Sequence, residues 1–440
     1  MAHATAPAPD EPMLADQRAA FVAGTMLAVL DLSDTVVFPY LADFFLNHEV
    51  AQSTVGLMFS LLTLGIMVTA PFMGSIMSRV GGPARAMVLG TLAFAAQRIL
   101  TACLPLLPDG TPMVYGASAV FLLNGVIYAF SEIGSLTWVL LMAPSGQKVA
   151  AMGTMIASRG IGTALGQPVG GVLFDLIGWV PTNVVCAIGL CIPLFVFRDD
   201  LLAAPAVTPD DKSRASKVQH KNALYDVRYV LANLFNVAGQ TAMYSWVPYL
   251  QPYYASEYGA PKWMYGLIAM VCVIIGYMGM ATTVDSLDAA LGGARKWKTL
   301  SLGTGATLVG FFLLGPTPLI PFLSAGGIYV SGVGWMIVSM GIAVFQVTGP
   351  AVTVEAAVEY GIDEEEATVQ AASLTISVMA VGLAVGPVIG GFLAENYGVP
   401  WANTILGLGL AAVAVLAQFL LWLVDFSFPR APRNTNRELM

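Results

Sequence analysis

Long apolar runs separated by short polar joints constrain this chain more than any other feature of its sequence. Each run holds the ~20 apolar residues that a helix needs to cross the hydrocarbon layer of a bilayer. No water reaches that layer to satisfy backbone N–H and C=O groups, so each run is read as a helix whose hydrogen bonds are internal. Composition agrees. Of 440 residues, 57% are hydrophobic and 10% charged, whereas a soluble domain needs about a quarter charged residues to face water.

Spans are expected at roughly 20–46, 54–78, 84–107, 112–143, 149–176, 179–198, 227–254, 262–285, 298–315, 322–350, 366–394 and 399–426. The longest joint, Asp199–Arg228, is polar and carries Lys212, Arg214, Lys217 and Lys221. The expected fold is therefore an all-α membrane protein, with twelve transmembrane helices in two pseudo-symmetric six-helix bundles. Its parts are a tail at 1–18, bundles at 19–198 and 227–426, a linker at 199–226 and a basic tail at 427–440. Met1–Arg18 is Ala/Pro-rich and acidic, without a basic stretch before an apolar one, so the first span is expected to act as the insertion signal. With both termini in the cytosol, sixteen of the nineteen Lys and Arg residues fall on that side; only Lys262 lies opposite, and Arg98 and Arg159 lie within spans. Such a bias supports this orientation.

The four cysteines (Cys103, Cys186, Cys191, Cys272) sit inside apolar runs without CxxC spacing and read as packing residues. The histidines lie in the tail or joints, so no metal site and no cofactor are expected. A net charge of −8 argues against nucleic acid. No Ser/His/Asp set or phosphate loop is present, so an enzyme is not expected; Gly292-Gly293-Ala294-Arg295-Lys296 is a basic turn.

An internal repeat supports two halves. Phe38-Pro39-Tyr40-Leu41 in span 1 is echoed by Val247-Pro248-Tyr249-Leu250 in span 7. In span 5, Gly162, Gly166, Pro168, Gly170 and Gly171 are echoed in span 11 by Gly382, Gly386, Pro387, Gly390 and Gly391. Glycines permit close helix approach and prolines bend helices. Transporters use such repeats to make two bundles about one central site.

At these residues the chain resembles the major facilitator superfamily. The GxxxGPxxGG element at Gly382–Gly391 is similar to the signature that its proton-coupled antiporters carry in span 5; here span 5 has Gln167 between Gly166 and Pro168. The loop Gly74–Arg85, with Arg79, resembles the GxxxDRxGRR loop between spans 2 and 3, with Ser78 at the acidic position. Val55–Phe59, Leu107–Gly110, Ala150–Trp179, Leu313–Pro316 and Val385–Gly398 resemble the vesicular amine transporter family, particularly its polyamine branch. That resemblance implies proton-coupled carriage of an amine, an acidic residue in span 1 and a cavity lined by span 4.

Charge at mid-depth gives the candidate site. Asp31, Asp34, Glu132, Arg159, Arg98 and Gln240 lie 10–14 residues from the cytosolic ends of their spans, roughly 15–21 Å deep. A lone charge there costs at least ~2.5–3.5 kcal/mol, so these groups are expected to face one another or water. Asp31 and Asp34 share a helix face; mutual repulsion would favour proton uptake by one of them, Asp34 ahead of Asp31 because it is deeper, so Asp34→Asn is expected to abolish proton-driven uptake; a cap or backbone bond is the alternative. Glu132 reads as a second proton or amine site, or as the ion-pair partner of Arg159; Arg159 reads as an anion-binding residue or as that partner. Arg98 reads as structural. Gln240 and Tyr244 in span 7 are expected at the cavity, Tyr244 because aromatic faces attract amines. Glu355 reads as a gate residue, and Asp363–Glu366 as a helix-capping box.

The expected function is secondary active transport, by proton-coupled antiport of a small organic amine or polyamine. The alternatives are carriage of an anionic or zwitterionic metabolite on Arg159, or a non-transporting receptor or scaffold. Partners are the substrate, protons and the lipid bilayer, with the chain a monomer. Vesicle, vacuole and plasma membrane all fit.

Overall fold

The computed structural model describes residues 15–142, 148–203, 227–291, 297–359 and 364–427. The tails, most of the linker with Lys212, Arg214, Lys217 and Lys221, the turn with Arg295 and Lys296, and the expected cap residue Asp363 lie outside the described residues. Within them every regular element is helical. Among the described residues ten helices are long and apolar enough to cross a membrane, and Lys298–Leu314 is a shorter apolar helix. Val227–Ser245 with Leu250–Tyr258 takes the place of span 7. The expected all-α, twelve-span fold is thus the fold of this chain.

Span 1 is two helices, Ala15–Thr35 and Phe38–Asn47. Pro39 lacks an N–H and its ring crowds the preceding turn, so it is accommodated at the start of the second helix. Span 7 breaks likewise between Ser245 and Leu250, around Pro248. Spans 5 (Lys148–Ile177) and 11 (Glu364–Tyr397) instead run as single helices through Pro168 and Pro387. Span 4 is Thr111–Met142, span 6 Trp179–Val196, span 10 Gly327–Glu359 and span 12 Val399–Ser427.

The glycine repeat makes the closest helix contacts. A methyl group on Gly162, Gly166 or Gly170 would strike the backbone of Ala28, Leu32 or Val36 in span 1, respectively. One on Gly382, Gly386 or Gly390 would meet that of Val237, Thr241 or Ser245 in span 7. Adding 209 to 28, 32 and 36 gives 237, 241 and 245, the same offset that aligns Pro39 with Pro248. Adding 220 to 162, 166 and 170 gives 382, 386 and 390. The repeat is therefore one packing arrangement built twice. Gly178 and Gly398, also 220 apart, open spans 6 and 12 at φ 79° and 77°, a left-handed conformation that favours glycine.

The chain divides into two compact units. One comprises the described residues of Met1–Ala51, Leu61–Val218 and Tyr254–Met270, the other those of Gln52–Ser60, Gln219–Tyr253 and Val271–Met440. Within the first unit Lys262 pairs with Asp43 at 2.8 Å and stands 4.4 Å over the Phe174 ring. Within the second, Ser60 donates to the Ala384 carbonyl, and the Ser53 N–H donates to Glu395 at 2.7 Å.

Candidate functional site

Spans 1, 4 and 5 of the first unit bring Asp31, Glu132 and Arg159 together. Close approach of spans 1 and 5 comes from the glycine contacts; Gly24 of span 1 lies against Ser158, the neighbour of Arg159. The three nitrogens of Arg159 each serve a different residue. Nε donates to Asp31 Oδ2 at 2.7 Å, Nη1 to Glu132 Oε1, and Nη2 to the Tyr128 hydroxyl at 2.9 Å. That hydroxyl donates to Asp31 Oδ1, and its ring centre lies 5.7 Å from the guanidinium carbon.

Asp34 faces a different cation. Arg98 Nη2 donates to its Oδ1 at 2.9 Å and Asn124 Nδ2 donates to the same oxygen at 3.2 Å. Arg98 is 2% exposed and its guanidinium lies 4.7 Å over the Phe94 ring. Asp31 and Asp34 share a helix, yet each has its own arginine. Such pairing offsets the cost of burying these charges. Asn124, Tyr128 and Glu132 follow one another at four-residue spacing on one face of span 4.

In formal charge, three carboxylates meet two guanidinium groups, so the group carries one excess negative charge. Arg159 is 39% exposed and Asp31 5%. The most accessible member is thus the cation shared by two carboxylates.

The remaining candidates lie elsewhere. Gln240 is 2% exposed, beside Gly382, in the second unit; Tyr244, one turn on, is half-buried. Gln240 occupies the position equivalent to Asp31, and Met243 that equivalent to Asp34, by the 209-residue offset. Met243 Sδ lies 3.7 Å from Gln346 Nε2, and Gln346 accepts a bond from Tyr277 in a π-helical turn of span 8, Cys272–Met278. Neutral groups therefore stand at positions where the first unit is charged. Arg79 is exposed at the end of the Met73–Val80 helix, before left-handed Gly81. Glu355 is exposed on span 10. Gly166 and Gly386 are packing contacts, and Pro168 and Pro387 lie within their helices.

Sequence reasoning named the charged members but missed Tyr128 and Asn124. An aromatic residue in an apolar run reads as packing; the four-residue spacing from Asn124 to Glu132 was the available signal.

The sequence profile described as Major Facilitator Superfamily matches residues 23–361. The chain belongs to that superfamily. It is 25% identical over 416 residues to the human MFS-type transporter SLC18B1, covering 93% of this chain and 88% of the relative. The rat SLC18B1 is 24% identical over 404 residues, covering 90% and 85%. Among solved structures, a bacterial homologue of the human lysosomal transporter Spinster aligns with TM-score 0.69 at 10% identity, over 96% of this chain and all of that one. The nucleoside transporter NupG aligns with TM-score 0.68 at 13% identity, over 93% and 99%. At these identities the structural likeness speaks to fold alone. This major facilitator chain is a multi-pass membrane transporter and not an enzyme.

Proposed function

We propose that the chain is a proton-coupled antiporter of a small organic cation, an amine or polyamine, working by alternating access. The observation that carries this reading is Arg159 shared between Asp31 and Glu132 in a group with one excess negative charge. A buried excess charge draws a cation. A proton on Asp31 or Glu132 supplies it, and so does the ammonium group of a substrate. When both compete for one vacancy, binding of either expels the other, and exchange follows. Arg159 lets the vacancy move: a carboxylate that takes a proton releases its share of the guanidinium to the other. Asp34, held by Arg98 and Asn124, is a standing pair that fixes span 1 in register.

Glu355 and Arg79 would act at the cytosolic ends of their helices, and Gly166, Pro168, Gly386 and Pro387 would supply the sliding and bending surfaces. Both termini would be cytosolic, with the monomer in a vesicle, vacuole or plasma membrane.

The exposure of Arg159 favours a second reading, in which its guanidinium receives the carboxylate of an anionic or zwitterionic metabolite. Its three engaged nitrogens favour the first. Uptake into proteoliposomes under an imposed pH gradient separates them: radiolabelled putrescine, a linear diamine, should accumulate and radiolabelled succinate should not. Accumulation of succinate alone would overturn the cation reading.

A further inference from the structure

We infer that Tyr128 is a positioning residue for proton exchange, the partner that keeps Asp31 in place when Arg159 lets go. This rests on the proposed proton coupling at the same site. Tyr128 closes a ring with the other two groups: its hydroxyl donates to Asp31 Oδ1 and accepts from Arg159 Nη2, while Arg159 Nε donates to Asp31 Oδ2. The side chain is 4% exposed, and Phe94 of span 3 packs edge-on to it at 6.3 Å.

The charged and titratable groups around Asp31 are Arg159 on span 5, Tyr128 and Glu132 on span 4, Asp34 on its own helix, and Arg98 on span 3 behind Asp34. A proton from water can enter at Oδ2, the oxygen that Arg159 Nε holds. Protonation there removes that N–H acceptor and the charge, so the guanidinium shifts its weight to Glu132. Oδ1 then becomes the carbonyl oxygen of a neutral acid, and the phenol donates to it as before. No proton on Tyr128 has to move. A phenol suits this position because it donates to either form of the acid and still accepts from Arg159. Without it, a neutral Asp31 would have no fixed partner on Oδ1.

The donor acts on the two forms unequally, since a bond to the ionised carboxylate is the stronger. Tyr128→Phe keeps the ring beneath Arg159 and against Phe94 but removes that donor. Asp31 should then hold its proton to higher pH, by about one pH unit. Site-specific 3-fluorotyrosine at position 128, a stronger donor, should move the midpoint the other way. The readout is an infrared titration of the full-length protein in nanodiscs, following the protonated-carboxyl band that Asp31→Asn abolishes. It requires no substrate, so it is independent of the cation reading. Opposite shifts in the two variants support the role. Identical midpoints in native protein and both variants, or the absence of any titrating band that depends on Asp31, overturn it. In proteoliposomes, loss of putrescine accumulation by native protein would sink the antiport reading; a native-like pH profile for Tyr128→Phe beside an active native protein would sink only the role of Tyr128.

Discussion

Replacing Arg98 with methionine removes the cation that Asp34 faces at 2.9 Å and leaves the carboxylate with the amide of Asn124 at 3.2 Å. Breaking a buried ion pair by removing one partner costs about 3–5 kcal/mol. Asp34 is 14% exposed and keeps one donor, so the loss should sit near the lower end, about 3 kcal/mol. Asp34→Asn strands the guanidinium instead. Arg98 is 2% exposed, and that stranding should cost at least as much, about 3–5 kcal/mol. The double variant Arg98→Met with Asp34→Asn buries neither charge and should lie within about 1 kcal/mol of the native protein, since neutral replacement of a buried pair is often nearly free. The cycle then gives a coupling energy of several kcal/mol, well above the ~0.3–0.5 kcal/mol within which independent sites add. Reversible unfolding in mixed micelles, followed by tryptophan fluorescence, measures it. Additive losses would refute the pair as a structural unit. The double variant should also retain proton-driven exchange; a folded double variant without it would move Asp34 into the exchange machinery.

Other outcomes follow from the packing. Gly170→Ala and Gly390→Ala should be comparably harmful, because each added methyl meets a carbonyl of the facing helix at equivalent positions, Val36 and Ser245; overpacking of this kind costs about 1–3 kcal/mol, read as loss of thermal stability in detergent. Tyr249→Phe should cost about 1 kcal/mol in the same assay, from the lost 2.8 Å bond to Asn403.

Much of this fold was legible because hydrophobic length alone marks a span: the helices Pro83–Ala102, Thr111–Met142 and Val399–Ser427 lie within a few residues of the expected runs. The glycine repeat was legible too, since small residues at four-residue spacing leave one face of a helix open, and here each face is filled by the partner backbone. Depth placed Asp31, Asp34, Glu132 and Arg159 at one level. Depth could not say which arginine meets which carboxylate. That depends on the angle at which each side chain leaves its helix and on the distance between helix axes, so Arg98 read as structural without its partner, Asp34, being named. The π-helical turn at Cys272–Met278 has no marker in its apolar sequence.

The competition between a proton and a substrate cation is tested most directly by proton release. Purified protein in weakly buffered detergent solution, protonated beforehand, is mixed with putrescine, and a pH indicator follows the solution. One excess carboxylate over the guanidinium groups implies release of about one proton per bound diamine at most, with none from the double variant Asp31→Asn with Glu132→Gln. Diamine binding without any proton release by the native protein would contradict the shared charge at Asp31, Glu132 and Arg159.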